Sequence, residues 1–152
     1  MRRITIPSVV LIAPDRLAPR ISAAQSADAI AQGLRSRGWQ CDTCPIGDGP
    51  SVGGASTGGW RAALERVHFG QRMRAARAVV AGGALLDRHQ LVGSAIAEVA
   101  TRARQGGVPC YAIVADDQLE PFDQRILDLE AVLEATTIGQ LARAGRELAA
   151  ML

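Results

Sequence analysis

Three aspartates that could bind a metal ion each follow a predicted strand of this sequence. They are Asp15, Asp48 and Asp87. The carboxyl ends of parallel strands lie along one edge of a sheet, so these side chains could form an acidic rim that attracts Mg²⁺ through water. Aspartate is also a common turn residue and helix cap, which is the simpler interpretation. The pattern therefore leaves a metal site and three structural turns as alternatives.

A glycine-rich segment, GDGPSVGGASTGG, occupies residues 47–59. Its backbone N–H groups, beginning with those of Gly47 and Gly49, could cradle a phosphate. The segment lacks the lysine of a Walker loop, and its spacing lacks a glycine that dinucleotide-binding loops require. A flexible connection between two elements is the alternative that this pattern favours.

Cysteine and histidine give a weaker signal for chemistry. Cys41 and Cys44 have the spacing of a redox pair, but they lie on a predicted strand, where residues three apart point to opposite faces. The further candidates for a zinc site, Cys110, His68 and His89, do not supply a second pair. We therefore predict that the cysteines are structural and that His89 is an exposed side chain.

Composition narrows the class of protein. The 152 residues, 48% of them hydrophobic, predict one domain with a sizeable core, and the net charge of +2 is too small to indicate a nucleic-acid partner. All 17 basic residues are arginine, and we predict that Arg72, Arg74 and Arg77 form a solvated helix face, with anion or nucleic-acid binding as the alternative. The N-terminus resembles a secretion signal, but no cleavage signal follows promptly. Because the chain has three cysteines and no apolar run near the ~20 residues that span a membrane, we expect a reduced, cytoplasmic protein with no membrane partner.

Predicted strands and helices alternate along the chain. The strands are residues 8–13, 39–45, 77–81, 108–115 and 131–134, and the third ends at Gly82 and Gly83. Ser22 and Gln25 have capping-box spacing before the first helix, and later helices are predicted at 60–67, 91–103 and 138–152, with a polar loop at 116–124. The alternation predicts an α/β three-layer sandwich with a mainly parallel, five-stranded, Rossmann-like sheet and the first strand near its middle.

Three segments resemble motifs of the glycerate kinase family, in the family's order. Residues 13–15 with 22–23 look like its opening APDSFKGSLSA pattern, residues 45–49 (PIGDG) like PxADGGEGT, and residues 82–93 (GGALLDRHQLVG) like GEGRLDxQTxxGK. The resemblance implies the α/β domain of enzymes that phosphorylate D-glycerate with ATP. Family chains are more than twice as long, so residues 46–76 would replace their inserted second domain, and residues 1–152 would form a single domain.

The departures from these motifs fall where the family carries charge for phosphate chemistry. Its two motif lysines are Ala18 and Ser94 in this chain, and its arginine is Leu85. Its two glutamates are Ser51 and Gly83. The three aspartates are retained, and the matched positions give five candidates for ligand or phosphate binding: Gly47, Gly49, Gly82, Gly83 and Ser94.

The lost charges favour a non-catalytic glycerate-kinase-like domain that acts as a ligand-binding or protein-interaction module, such as a regulatory one, without a cofactor. We expect a homodimer or a protein partner to cover the surface that the missing domain would leave. The alternative is a small active enzyme, a residual glycerate kinase or phosphotransferase that uses Mg²⁺ and ATP at the rim of Asp15, Asp48 and Asp87.

Overall fold

The protein is built on a five-stranded parallel sheet, seen in a computed structural model that describes residues 8–47 and 59–152. The strands are β1 (Val9–Pro14), β2 (Gln40–Thr43), β3 (Ala78–Leu86), β4 (Cys110–Asp117) and β5 (Leu129–Glu134). Their order is β2-β1-β3-β4-β5, and each neighbouring pair is parallel. The predicted α/β class and parallel sheet are confirmed. β1 lies inside the sheet as expected, although β3 occupies the centre.

Helices cover both faces of the sheet. They are α1 (Ala23–Arg35), α2 (Gly59–Arg66), α3 (Phe69–Arg74), α4 (Ala95–Gln105), α5 (Pro121–Ile126) and α6 (Ile138–Ala149), and a 3₁₀ turn (Arg88–Leu91) precedes α4. Apolar side chains of α1 and α6 pack on one face, and those of α2, α3 and α4 pack on the other. Within the described residues, none of these helices has the length and apolar character needed to cross a membrane.

Local sequence accounts for β1 and α1. Val10, Leu11 and Ile12 of β1 are completely buried, which suits an apolar strand covered on both faces. The Ser22 hydroxyl accepts a hydrogen bond from the Gln25 backbone at 3.1 Å, and the Gln25 side chain accepts one from the Ser22 backbone at 2.9 Å. This reciprocal pair is the predicted capping box, and it starts the helix directly after the loop that carries Asp15.

The contact between α1 and α6 requires glycine on both helices. A Cβ atom added to Gly33 would lie 2.0 Å from the carbonyl oxygen of Ala142. A Cβ atom added to Gly145 would lie 2.3 Å from the carbonyl oxygen of Ile30. Because both obstacles are backbone atoms, the two helices contact each other backbone to backbone.

An ion pair attaches α3 to β2 on the opposite face. The Arg72 guanidinium donates to both carboxylate oxygens of Asp42, at 2.9 and 2.5 Å, and to the carbonyl oxygens of Thr43 and Val67. The hydrogen bond to Asp42 raises the pKa of Arg72. The prediction of a solvated face was therefore wrong for Arg72, because a sequence does not show which strand a short helix crosses.

Two predicted boundaries were wrong near the third motif. β3 continues through Gly82 and Gly83 to Leu86, because its ladder with β4 runs on to the pair Leu86–Asp117. The two glycines therefore lie inside the strand rather than at its end. The helix predicted from residue 91 begins at Ala95, after the 3₁₀ turn.

Two helices were not predicted with bounds: α3 was expected only as the helix face of Arg72, Arg74 and Arg77, and α5 was not expected at all. α3 and α5 are each six residues long, which is too short for a clear helical period. α5 begins at Pro121 inside the predicted polar loop, and proline is well suited to a first helical turn. On α6, Leu141 and Leu148 are buried as expected, whereas Ile138 is 46% exposed because it stands at the start of the helix.

Candidate functional site

A cleft of 230 Å³ opens in the middle of the sheet, between the end of β1 and the second half of β3. Asp15, directly after β1, donates its backbone N–H to the carbonyl oxygen of Gly82 on β3 at 3.0 Å. The chain connects from β1 to β2 on one side and reaches β3 on the other, so this is the topological switch point of the sheet. Open parallel sheets usually bind their ligands at such a point.

Asp15 and Gly47 form one wall of the cleft region. The Asp15 carboxylate accepts a hydrogen bond from the backbone N–H of Arg16 at 2.7 Å. A Cβ atom on Gly47 would lie 1.9 Å from the same carboxylate oxygen and 2.8 Å from the Arg16 nitrogen. Gly47 must therefore be glycine to let the loop after β2 approach Asp15.

The start of α4 forms the opposite wall. The Ser94 hydroxyl accepts a hydrogen bond from the backbone of Ala97 at 3.0 Å and donates one to the carbonyl oxygen of Gln90 at 2.5 Å. Ser94 is thus the N-cap of α4, and it follows Gly93, whose φ of 81° lies in the left-handed region. The cleft is bordered by Ala95 and by the positive end of the helix dipole.

Gly82 and Gly83 shape the floor between these walls. A Cβ atom on Gly83 would lie 3.2 Å from the Cδ1 atom of Ile96, so glycine allows α4 to lie close to β3. A Cβ atom on Gly82 would crowd Pro14 and the carbonyl oxygen of Ile113, at 3.0 and 3.1 Å. Gly83 lines the cleft, whereas Gly82 contributes to sheet packing and to the bond with Asp15.

Asp87 is not among the residues that line this cleft, although Leu85 and Gln90 on either side of it are. Gly82 is level with Pro14 in the sheet, and β3 then continues to Leu86, about 13 Å farther at ~3.3 Å per residue. The Asp87 carboxylate accepts a hydrogen bond from the His89 backbone at 2.9 Å and caps the 3₁₀ turn. Residues 8–47 and 59–152 contain no cluster of acidic, cysteine and histidine side chains suited to a metal ion.

The predicted site residues thus divide into three groups. Asp15, Gly47, Gly83 and Ser94 come together at the switch point. Gly82 and Asp87 have structural contacts nearby. Asp48 and Gly49 lie outside the described residues, as does most of the glycine-rich segment, so the three-aspartate rim stays a prediction.

Comparison with known proteins identifies the family. Residues 50–148 match the profile of the glycerate kinase family. The chain belongs to this family. The matched part includes Gly83 and Ser94, whereas Asp15 and Gly47 precede it. No curated protein sequence matches the chain.

Solved structures that resemble this member of the glycerate kinase family have a flavodoxin-like fold. One is a flavodoxin from the domain Archaea, 11% identical, with a TM-score of 0.50 over 94% of this chain and 97% of that one. Another is a diflavin flavoprotein A3 from Nostoc sp., 12% identical, with a TM-score of 0.51 over 95% and 92%. At such low identity the likeness shows the fold alone.

This chain has uncharged residues at two motif positions that border the cleft. Leu85 and Ser94, which stand where the resemblance implies an arginine and a lysine, both line it. Arg16 and Gln90 also line it and were not among the predicted site residues. Arg16 could have been suspected because it directly follows Asp15, and Gln90 because it belongs to the third motif.

The three cysteines of this glycerate kinase relative are free thiols, of which Cys44 and Cys110 are buried. Cys41 packs on the α1/α6 side of the sheet and Cys44 on the α2–α4 side, so the pair does point to opposite faces. Burial raises the pKa of both thiols and raises that of Cys110 to about 12. The raised pKa values keep these groups protonated near neutral pH, when they are poor nucleophiles.

Proposed function

We propose that this chain is a non-catalytic member of the glycerate kinase family that binds a small polar ligand in the cleft beside Asp15. One observation carries the proposal: Leu85 and Ser94 line the cleft at the positions where the resemblance implies cations. The cleft has kept Asp15 and the glycines of the motifs, but it has lost the positively charged residues that the motifs would supply.

The chemistry of phosphoryl transfer supports this interpretation. That reaction depends on positioning and on neutralising the charge of the phosphates. Losing one well-placed contact to a transition state typically costs ~10²–10³ in rate. Ser94 uses its hydroxyl to cap α4, and Leu85 offers an apolar surface, so neither replaces a cation. Arg16 is the guanidinium that remains among the lining residues.

The size of the cleft favours a small ligand. Its 230 Å³ lies below the roughly 300–1,000 Å³ of most cofactor and drug-sized sites. The Asp15 carboxylate can accept hydrogen bonds from hydroxyl groups, and Arg16 and the start of α4 favour a negative charge. A short hydroxy acid such as D-glycerate combines these features and fits the space.

The proposal includes a partner and a compartment. Val92 and Phe122 are large apolar residues that are 87% and 73% exposed, and they flank the contact between the 3₁₀ turn and α5. Such exposed side chains support a homodimer or a protein partner on this face.

Three free cysteines support a reducing, cytoplasmic setting, and the small net charge supports a function without nucleic acid.

The alternative is an active phosphotransferase that uses Mg²⁺ and ATP. The retained Asp15 in the cleft favours this alternative enough to require a test. The experiment combines calorimetric titration of D-glycerate with an assay of ADP release from Mg²⁺ and ATP. We expect binding without turnover, lost in Asp15→Asn and kept in Asp87→Asn, whose side chain can still cap the 3₁₀ turn. In sedimentation velocity at micromolar concentration, the same protein should run as a dimer.

Turnover above background that disappears in Asp15→Asn would establish the enzyme instead. Failure of D-glycerate to bind, or equal loss of binding in both variants, would remove Asp15 from the role of a ligand contact. A monomer across the concentration range would contradict the homodimer and leave the partner of this face to be another protein.

A further inference from the structure

A second cleft, of 390 Å³, lies on the surface formed by α2, α3 and α4. Three arginines line it, one from each helix: Arg61, Arg74 and Arg102. Glu65 is the carboxylate among its lining residues, and His68 adds an imidazole. Its volume falls within the roughly 300–1,000 Å³ range of small-molecule sites. None of its lining residues belongs to the cleft beside Asp15.

Each arginine can offer donors to a ligand in this cleft. Arg102 is bonded to Glu98 one turn earlier on α4, and its side chain is only 25% exposed, so the pair holds the guanidinium in place. A guanidinium has five N–H donors, and the bond to Glu98 leaves others for a second acceptor. Arg61 faces Glu65 at 3.5 Å, but both side chains are well exposed, and such surface pairs contribute little.

Arg74 is the best placed of the three. A Cβ atom on Gly70 would lie 3.4 Å from its Nη1 atom, so the guanidinium lies over the glycine, one turn back along α3. Within the described part of the chain, Arg74 has no carboxylate within salt-bridge distance, in contrast to Arg61 and Arg102. Its charge is therefore available to a ligand.

The floor of the cleft strengthens the field of these charges. Leu64 and Phe69 line it and are each 1% exposed, so apolar material lies beneath the guanidinium groups. Clefts with one dominant sign of charge and walls of low polarity concentrate the electrostatic field and attract counter-ions. At the entrance, His68 has a φ of 56°, which is unusual for a residue other than glycine and marks the sharp change of direction between α2 and α3.

We propose that this basic cleft binds a small polyanion whose anionic oxygens contact Arg61, Arg74 and Arg102 together. Planar guanidinium groups form paired hydrogen bonds with phosphate and carboxylate oxygens, and three of them match a ligand with at least two anionic groups. The ligand class is a compound with clustered phosphates or carboxylates. The site is independent of the hydroxy-acid cleft, which lies at the switch point between β1 and β3.

Calorimetric titration of inorganic pyrophosphate into the purified full chain tests this proposal, with citrate as a second probe. Arg74→Gln should weaken binding about tenfold or more, as expected for losing a charged hydrogen bond. The matched control is Arg146→Gln on α6, which removes the same charge from an exposed position in the opposite helical layer. The control should bind as the parent does, and affinity should fall as salt is added.

Pyrophosphate binding alone would assign the ligand to phosphate chemistry, and equal citrate binding would extend the class to carboxylates; both outcomes support the site. Equal weakening by the two variants would show a general charge effect and overturn the proposal, as would no binding at millimolar probe. Amide shifts on adding pyrophosphate should centre on His68 and Gly70; shifts centred on Asp15 and Ser94 would also overturn it. D-glycerate titration of Arg74→Gln should be unchanged, which separates this test from that of the first cleft.

Discussion

The two helical layers of this protein are held in different ways. α1 and α6 contact each other backbone to backbone through Gly33 and Gly145. α2, α3 and α4 are joined to the sheet and to each other by side chains, such as the pair of Arg72 with Asp42. Both clefts considered above involve the second layer. The difference lies in what holds each layer: α1 and α6 meet through backbone atoms at two glycines, which leaves no room for a larger side chain, whereas the second layer depends on side-chain contacts such as that of Arg72 with Asp42.

The largest expected effect tests the rigid layer. Gly33→Ala places a methyl group 2.0 Å from a backbone oxygen of α6, and the two helices must move apart to accept it. We expect the free energy of unfolding to fall by about 3 kcal/mol, the upper end of typical overpacking costs. Urea unfolding followed by circular dichroism measures this change.

Gly139→Ala is the matched control on α6. A Cβ atom there meets its nearest neighbour at 4.0 Å, so the new methyl group has space. The substitution should be neutral or stabilise the protein by about 0.5–1 kcal/mol, because alanine favours the helix. If Gly33→Ala were as harmless as Gly139→Ala, the backbone contact would not be what holds α1 and α6 together.

A smaller effect is expected in the second layer. Arg72→Gln removes an ion pair with two hydrogen bonds to Asp42 and further bonds to two carbonyl oxygens. About a third of each partner's side chain is exposed, so solvent screens part of the interaction, and we expect a loss of about 1–2 kcal/mol.

Arg143→Gln is the control for this ion pair. Arg143 pairs with Glu147 at 3.5 Å on the surface of α6, with its side chain 74% exposed. Its removal should change stability by less than about 0.5 kcal/mol. Comparable losses in the two variants, measured by urea unfolding, would contradict the structural role of Arg72.

The expected effect that is smallest near neutral pH, and grows only in alkaline solution, concerns the buried thiols on the side of the second layer. Burial raises the pKa of Cys110 from 9.0 to about 12. The folded protein therefore keeps a proton that the unfolded chain releases above pH 9, so the free energy of unfolding falls as pH rises between about 9 and 12. The slope from one thiol is at most about 1.4 kcal/mol per pH unit. Cys44 and Cys41 are shifted in the same direction and add to the fall.

Cys110→Ala should flatten this pH dependence between about pH 9 and 10. Urea titrations at a series of pH values measure how the free energy of unfolding changes with pH. The difference between the variant and the parent at neutral pH gives the cost of losing the side chain itself. An unchanged slope in the variant would show that the Cys110 thiol does not titrate differently in the folded and unfolded states.

Much of the fold could be predicted because it depends on short-range patterns. The apolar run of β1 and the capping pair of Ser22 and Gln25 are visible within a few residues, and both were confirmed. The wrong predictions came from local patterns that fit more than one structure. A pair of glycines usually ends a strand, but here the ladder with β4 continues beyond Gly82 and Gly83. α5 was missed, and α3 was expected only as a helix face without bounds, because six residues show too little periodicity.

The candidate site was predicted in part. Motif resemblance named Asp15, Gly47, Gly83 and Ser94, which meet at the switch point. It also named Asp87, which instead caps a turn farther along β3. Arg16 and Gln90 were missed, because lining a cleft depends on the relative position of loops from different strands.

The sequence by itself determined the α/β class, the main strands and helices, the helix caps and the membership of the glycerate kinase family. Tertiary structure alone decided which of these elements lie side by side. It placed Arg72 on Asp42, joined α1 to α6 through two glycines, and gathered three arginines around a second cleft. The physical reason is that secondary structure follows from nearby residues, whereas crossovers and helix packing bring together residues far apart in the chain, at distances set by the whole core.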